Sequence, residues 1–228
     1  MWRKGIFYTV LKGVNVLEFK GSGNSEIDSW QTTMLLYNSA LKEVGTKLEI
    51  LNDEFQHIHQ YNPIEHIKSR IKSPESIVKK LRNKGLESTI DNMVQYVNDI
   101  AGIRIICSFT SDIYRIAEML SNQSDIKVLS VKDYIEKPKE SGYKSYHMIV
   151  SIPIYLSDSV VDTKVEIQIR TVAMDFWASL EHKMNYKFEK NAPDHIKQQL
   201  FECAQMVSVL DDMMLSLNEE IQATQNED

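Results

Sequence analysis

The chain has 228 residues, 43% of them apolar and 25% charged, an ordinary globular composition that can bury a sizeable core in one large domain or two small ones. A formal net charge of −6 argues against general nucleic-acid binding, which needs a basic surface, while leaving room for a local basic pocket. No apolar run approaches the length of a membrane span, and eight Gly and five Pro leave little material for disordered linkers.

Residues 1–28 form an N-terminal segment to which the sequence assigns no function. Its apolar run Ile6–Phe19 is broken by Lys12, Gly13 and Asn15 and lacks a cleavage pattern, so no signal peptide is read there. Lys20–Ser25 reads as a flexible joint. From Ser29 to Gln60 the period is helical, with Leu35/Leu36, Leu41, Val44, Leu48, Leu51 and Phe55 on one side. His57 and His59 stand two apart, do not share a helix face, and read as surface histidines rather than a metal pair.

Beyond Ile64 the pattern alternates, Ile67, Ser69 and Ile71 against Lys68, Arg70 and Lys72, which predicts a strand with a cationic face. Ser73 followed by Pro74 predicts an N-cap and a helix start. That helix places Ser76, Lys80 and Lys84 on one face, and Gly85 ends it. Strand-end cations feeding a helix N-terminus make a phosphate cradle, although a solvated basic face has the same pattern. Ser88-x-x-Asp91 predicts a capping box and a helix to about Asn98. Asp99 then stands at the mouth of the β-rich run Ala101–Phe109, where a carboxylate can hold a divalent ion or serve as a turn residue.

A helix over Ser111–Asn122 and a strand over Ile126–Tyr134 come next. Lys137–Leu156 reads as a loop and a long strand whose entrance carries Tyr143, Lys144 and His147, more functional groups than a sheet requires. In Lys164–Arg170 the apolar residues Val165, Ile167 and Ile169 alternate with Glu166, Gln168 and Arg170, so an acid/base, an amide and a guanidinium stand in one row. Thr171 caps a helix containing Asp175, Trp177 and Glu181, with Trp177 read as core. From Pro193 to about Ile221, Ile196, Leu200, Cys203, Val207, Leu210, Met214, Leu217 and Ile221 recur by fours and threes, a 3.5-residue seam suited to packing within the domain or between subunits. Cys107 and Cys203 read as buried free thiols of a reducing compartment. The order predicts an α+β (mixed α/β) domain over 29–228, with a mixed sheet of about five strands flanked by helices and two helices at its end.

Taken together, "DIAGIRI", "SGYKSYH", "VEIQIRT" and "FWASLEHKMNYK" resemble the (p)ppGpp synthetase domain of the RelA/SpoT family, in the family's order and spacing, from about Ser39 to Glu220. The length resembles that of the small alarmone synthetases, and the stretch from Ala40 to Leu81 is similar to the RelP branch rather than RelQ. The resemblance implies a nucleotidyltransferase-like fold and transfer of the ATP β,γ-pyrophosphate to the 3′-hydroxyl of GDP or GTP, giving ppGpp or pppGpp and AMP. It casts Glu166 as the catalytic carboxylate and Asp99, with Glu166, as the Mg²⁺ ligand, an ion that would weaken Glu166 as a base. It casts Arg70, Lys72, Ser76, Lys80 and Arg104 as ATP-binding residues. Tyr143 is expected to stack on guanine, with Lys144, His147, Gln168, Asp175 and Glu181 on the acceptor side. Arg170 is left open between phosphate contact and brace.

The family further implies a cytoplasmic homotetramer in the stringent response, with neither a membrane nor a stable nucleic-acid partner. No His-Asp dipeptide of the hydrolase domain occurs, so alarmone hydrolysis is not expected. Where RelQ-type chains carry a Phe and a Thr before the ATP-binding Arg, His66 and Lys68 stand here, so activation by pppGpp is expected to be weak or absent. Zinc inhibition is associated with the RelP type, and His147 with Glu166 could form part of such a site. Two alternatives remain: a tRNA 3′-end pyrophosphokinase, which the acidic charge disfavours, and a non-catalytic guanine-nucleotide-binding protein, which the presence of both carboxylates disfavours.

Overall fold

Alternation in the sequence becomes a five-stranded sheet with one dry and one wet face. The structure is a computed structural model that describes residues 24–59, 61–187 and 192–225. Its elements in chain order are α1 (Asn24–His59), β1 (Ile64–Ile71), α2 (Pro74–Asn83), α3 (Ile90–Tyr96), β2 (Ala101–Cys107), α4 (Thr110–Ser121), β3 (Lys127–Asp133), β4 (Tyr146–Tyr155), β5 (Val160–Thr171), α5 (Val172–Lys187) and α6 (Asp194–Gln225). The strand order is β1-β2-β5-β4-β3. β2 and β5 run parallel, and the other pairs are antiparallel.

The dry face carries Ile103 and Ile105 of β2, Met148, Val150 and Ile152 of β4, and Val165, Ile167 and Ile169 of β5, all buried. Helices α1 to α4 cover it with Tyr37, Ala40, Val44 and Leu48, Ile77, Val78 and Leu81, Met93, and Ile113, Ile116 and Leu120. Each such large aliphatic side chain taken from water contributes about 1.5–3 kcal/mol, which fixes the strand register because a one-residue slip would expose the whole set. On α1 the buried stripe is Trp30, Tyr37, Ala40, Val44, Leu48, Leu51 and Phe55, and Leu35 points outward instead.

Local signals place the helix starts well. Ser73 caps α2, accepting from the Ser76 N–H at 3.3 Å, with Pro74 in the first turn. The cap of α3 is Thr89, one residue after the expected Ser88, and its hydroxyl accepts from the Asn92 N–H at 3.2 Å. Thr171 caps α5 as expected, accepting from the Met174 N–H at 3.1 Å.

Part of the expected C-terminal seam packs against α5, and the rest is exposed. Leu200 and Val207 reach the α5 side, whereas Cys203, Leu210, Met214, Leu217 and Ile221 are exposed. The residues that α6 turns inward are Leu200, Ala204, Val207, Ser208 and Asp211. Cys203 is thus an exposed free thiol, against the expectation of a buried one, while Cys107 is buried and free.

Candidate active site

The wet face of the sheet is a grid of polar side chains set by strand register. One row crosses all five strands, with Lys68 beside Arg104, Arg104 beside Gln168, Gln168 beside His147 and His147 beside Lys132. The next row puts Arg70 beside Gly102 and Gly102 beside Glu166. With no side chain at Gly102, a cavity of about 180 Å³ opens between Arg70 and Glu166, lined also by Lys68, Arg104 and Gln168. A wider groove of about 590 Å³ lies between α1 and α3, lined by Thr32, Ile90, Asp91 and Gln95, and it holds no sequence-predicted site residue.

One half of the site is a cationic corner built from β1, α2 and the turn before β2. The backbone N–H of Lys72 bonds to the Ile100 carbonyl at 2.8 Å, which brings the end of β1 against the Asp99 turn. Lys72 Nζ and Lys80 Nζ each stand 2.8 Å from a different oxygen of Asp99. Burial alone would raise the Asp99 carboxyl, but the two lysines outweigh it and hold it below the ordinary carboxylate range. Asp99 is therefore an ionised oxygen donor, the type that hard divalent ions select. Ser76 is exposed on the first turn of α2, its Oγ accepting from Ser73 Oγ–H at 3.0 Å. Lys84, expected on the same stripe, instead donates to the Tyr96 carbonyl at 3.0 Å and caps the C-terminus of α3.

The other half is a continuous hydrogen-bonded network. Gln168 Nε2 donates to Glu166 Oε2 at 2.9 Å, and Gln168 Oε1 accepts from Arg170 Nη2 at 3.1 Å. Arg170, only 5% exposed, also donates to Tyr143 Oη at 2.6 Å, Ser145 Oγ at 3.3 Å and Asp175 Oδ1 at 3.0 Å. With its guanidinium consumed this way, Arg170 is a brace. Arg104 Nη1 reaches the same Asp175 oxygen at 3.1 Å, so Asp175 ties the acceptor-side arginine to the donor-side one. Burial, then the neighbouring Arg170, pushes the Arg104 guanidinium down from its ordinary value, and Arg70 adds to this. Crowded cations of this kind await an anion.

His147 Nε2 lies 2.8 Å from Tyr143 Oη. The Tyr143 oxygen also accepts from Arg170, and His147 Nδ1 lies 4.0 Å from Glu166 Oε1. Burial, then Arg170, Lys139 and Lys132, pushes His147 down to about 3, so it is neutral at pH 7 and makes no ion pair with Glu166. The ring of Tyr143 is approached by Lys139 Nζ at 4.6 Å and Arg170 Cζ at 5.1 Å, and by the edge of Tyr134 at 6.0 Å.

The structure thus gathers Arg70, Arg104, Glu166, Gln168, His147, Tyr143 and Asp175 on one surface, with Lys72, Lys80, Ser76 and Asp99 at its edge. Lys144 points elsewhere, donating to Ser208 Oγ on α6 at 2.5 Å. Glu181 lies further along α5, half-buried. Trp177 is core, its Nε1–H bonded to the Leu200 carbonyl at 2.9 Å. Sequence reasoning missed Lys139 and Ser145. Neither follows from periodicity, since one rides on a loop and the other is a buried hydroxyl at a strand entrance. Among the described residues, no cluster of three or more His, Cys, Asp or Glu is poised for a metal.

A cation-lined cradle and a braced hydrogen-bond network that meet at one carboxylate define an enzyme that transfers a phosphoryl-type group between two nucleotides. Residues 69–191 match the region found in RelA / SpoT proteins, and the chain belongs to that family. It is 47% identical over 195 residues to GTP pyrophosphokinase YwaC of Bacillus subtilis, covering 86% of this chain and 93% of the relative. Its fold superposes on the crystal structure of small alarmone synthetase 2 from Bacillus subtilis with a TM-score of 0.77 at 46% identity, over 84% of this chain and 98% of that one. Small alarmone synthetase 1 from the same organism, bound to its product pppGpp, gives a TM-score of 0.78 at 36% identity, over 85% and 98%.

Proposed function

We infer that this chain is a GTP pyrophosphokinase that moves the β,γ-pyrophosphate of ATP to the 3′-hydroxyl of GDP or GTP, giving ppGpp or pppGpp and releasing AMP. The observation that carries this reading is the position of Glu166. It lies one register step from Gly102 and Arg70 on the donor side and is hydrogen-bonded to Gln168 on the acceptor side.

In this reading Arg70, Lys72, Ser76, Lys80 and Arg104 take the ATP polyphosphate, and Tyr143 stacks on guanine after Lys139 yields the ring. Gln168, His147 and Asp175 orient the acceptor, with Glu181 further along the same helix. Glu166 accepts the 3′-hydroxyl proton as the oxygen attacks the β-phosphorus, and the bond to the α,β-bridging oxygen breaks to leave AMP. Asp99, ionised and within reach of the cradle, would hold Mg²⁺ together with Glu166, and the ion would neutralise polyphosphate charge. Lys144 serves this site indirectly, through α6.

No helix among the described residues is long and apolar enough to cross a membrane. The exposed Met206, Leu210, Met213, Leu217 and Ile221 on α6, with Phe176 and Leu180 on α5, support self-association, and the family resemblance makes the assembly a cytoplasmic homotetramer in this reading. The close His147–Glu166 pair keeps zinc inhibition in view, and His66 and Lys68 keep activation by pppGpp weak.

The test is purified protein with labelled ATP, Mg²⁺ and either GDP or GTP. Formation of (p)ppGpp and AMP by wild type and its collapse in Glu166→Gln is the expected result. Nucleotide binding without AMP release would overturn the enzymatic reading, and labelling of added tRNA in place of GDP would move the acceptor.

A further inference from the structure

The acceptor loop is seated on α6. Gly142 has φ +84°, and a Cβ there would come within 2.5 Å of Ala204 Cβ and 3.4 Å of the Phe201 ring, so the loop backbone lies directly against the helix. The ring of Tyr143 packs on the small cluster formed by Trp177 and Ala178 of α5 and Ala204 of α6, beside Leu200 and Val207. Lys144 Nζ donates to Ser208 Oγ at 2.5 Å. One turn further, the buried carboxylate of Asp211 accepts from the Thr171 hydroxyl at 2.5 Å. That bond aims the Thr171 oxygen so that it accepts from Met174 N–H and caps α5, the helix that carries Asp175.

Three consecutive residues of the acceptor loop and the cap of α5 therefore take their positions from one stripe of α6, Ala204, Ser208 and Asp211. Among the described residues, Arg70, Lys72, Ser76 and Lys80 stand on β1 and α2, beyond β2 from the strands and helices that α6 supports, and Arg104 on β2 is linked to them only through Asp175 of α5. The opposite face of α6 is apolar and exposed.

We propose that Asp211 and Ser208 are positioning residues for the acceptor nucleotide, holding Tyr143 and Asp175 in place from α6, while Arg70, Lys72, Ser76 and Lys80 of the ATP cradle stand apart and only Arg104 is reached, through Asp175. The proposal rests on the synthetase reading for the identity of the acceptor. It requires that damage to the inner stripe of α6 weaken GDP or GTP severalfold more than ATP, whose one link to the stripe runs from Arg104 through Asp175. A contact that only stabilised the fold would weaken both alike.

The experiment uses the full chain as wild type, Asp211→Ala, Asp211→Asn and Ser208→Ala. Titration calorimetry with GDP and with a non-hydrolysable ATP analogue is paired with steady-state KM values for each nucleotide. For Asp211→Ala, loss of a buried charge-assisted hydrogen bond is expected to raise the GDP Kd and acceptor KM roughly tenfold, with the ATP-side values within about twofold. Ser208→Ala is expected to show the same selectivity at about threefold. Asp211→Asn keeps a carbonyl oxygen for the Thr171 hydroxyl and is expected to return to within about twofold of wild type.

Equal weakening of both nucleotides, or an unchanged GDP Kd, overturns the proposal. Should Asp211→Ala fail to fold by circular dichroism, Ser208→Ala decides by the same criterion. If wild type binds both nucleotides but releases no AMP, the synthetase reading fails while the selectivity in Kd still decides the positioning role. Failure of wild type to bind GDP overturns both.

Discussion

The donor half and the acceptor half of the site are built in different ways. The proposed donor cradle is mostly local, since four of its five residues, Arg70, Lys72, Ser76 and Lys80, fall within eleven residues of sequence, placed by a strand, a cap and a helix turn, and only Arg104 comes from β2. The acceptor half is assembled from Tyr143, His147, Gln168, Arg170 and Asp175 on a loop, two strands and a helix, and its order comes from bonds between elements, among them Arg170 to Tyr143 across twenty-seven residues and Lys144 to Ser208 across sixty-four. Charge density carries the first half, and mutual hydrogen bonding carries the second. A change in the donor half should therefore act locally on ATP, whereas a change in the acceptor half should spread.

The largest expected effect lies where the halves meet. Glu166→Gln keeps the shape and an oxygen for Gln168 but removes the base, so kcat should fall by about 10²–10⁴ while both nucleotides still bind, as single-turnover kinetics would show. A kcat within tenfold of wild type would break the comparison at its centre. Next comes Asp175→Asn, which leaves Arg104 and Arg170 facing each other with a neutral partner. A loss of about 2 kcal/mol in urea unfolding is expected, with KM raised for both nucleotides, because this one carboxylate belongs to both halves.

Gly142→Ala should cost about 1–2 kcal/mol through the positive φ and the clash with Ala204, with the kinetic damage confined to the acceptor KM. Acidification sharpens the contrast further. His147 is held at about 3 when folded against an ordinary 6.5, so between those values the unfolded chain binds the proton and the native one does not. This part of the stability is present above pH 6.5 and is lost as pH falls toward 3, on the order of 1–2 kcal/mol between pH 7 and 5. Urea midpoints of wild type and His147→Gln across that range should converge on acidification. The smallest effect separates two lysines of one helical stripe. Lys80→Ala should raise the ATP KM several-fold, whereas Lys84→Ala should leave it unchanged and cost only about 0.5 kcal/mol, since Lys84 caps α3.

The same contrast explains what could be read from the sequence. Parity alone separates Glu166, Gln168 and Arg170 from the buried Val165, Ile167 and Ile169, because a half-buried strand has a period of two. Ser73–Pro74 fixes the start of α2 for equally local reasons. Motif resemblance supplies the remaining acceptor residues but not their bonding. That Arg170 is a brace, that Lys139 lies over Tyr143, and that Lys144 turns to Ser208 all depend on which elements meet in space. How much of the C-terminal seam packs within the domain depends on where α5 lies, since Leu200 and Val207 are covered there and Leu210, Met214 and Leu217 are exposed.

The strand order carries one more consequence, for amide exchange. β5 is the third of five strands and is hydrogen-bonded along both edges, to β2 and to β4, whereas β1 and β3 each have one bonded edge. Opening β5 requires breaking two ladders at once, so the amides from Val165 to Ile169 should exchange deuterium only as fast as the whole molecule unfolds. β1, which carries Arg70, can fray by itself. The backbone beneath Glu166 is thus among the slowest clocks in the molecule, and the strand that carries Arg70 is among the fastest.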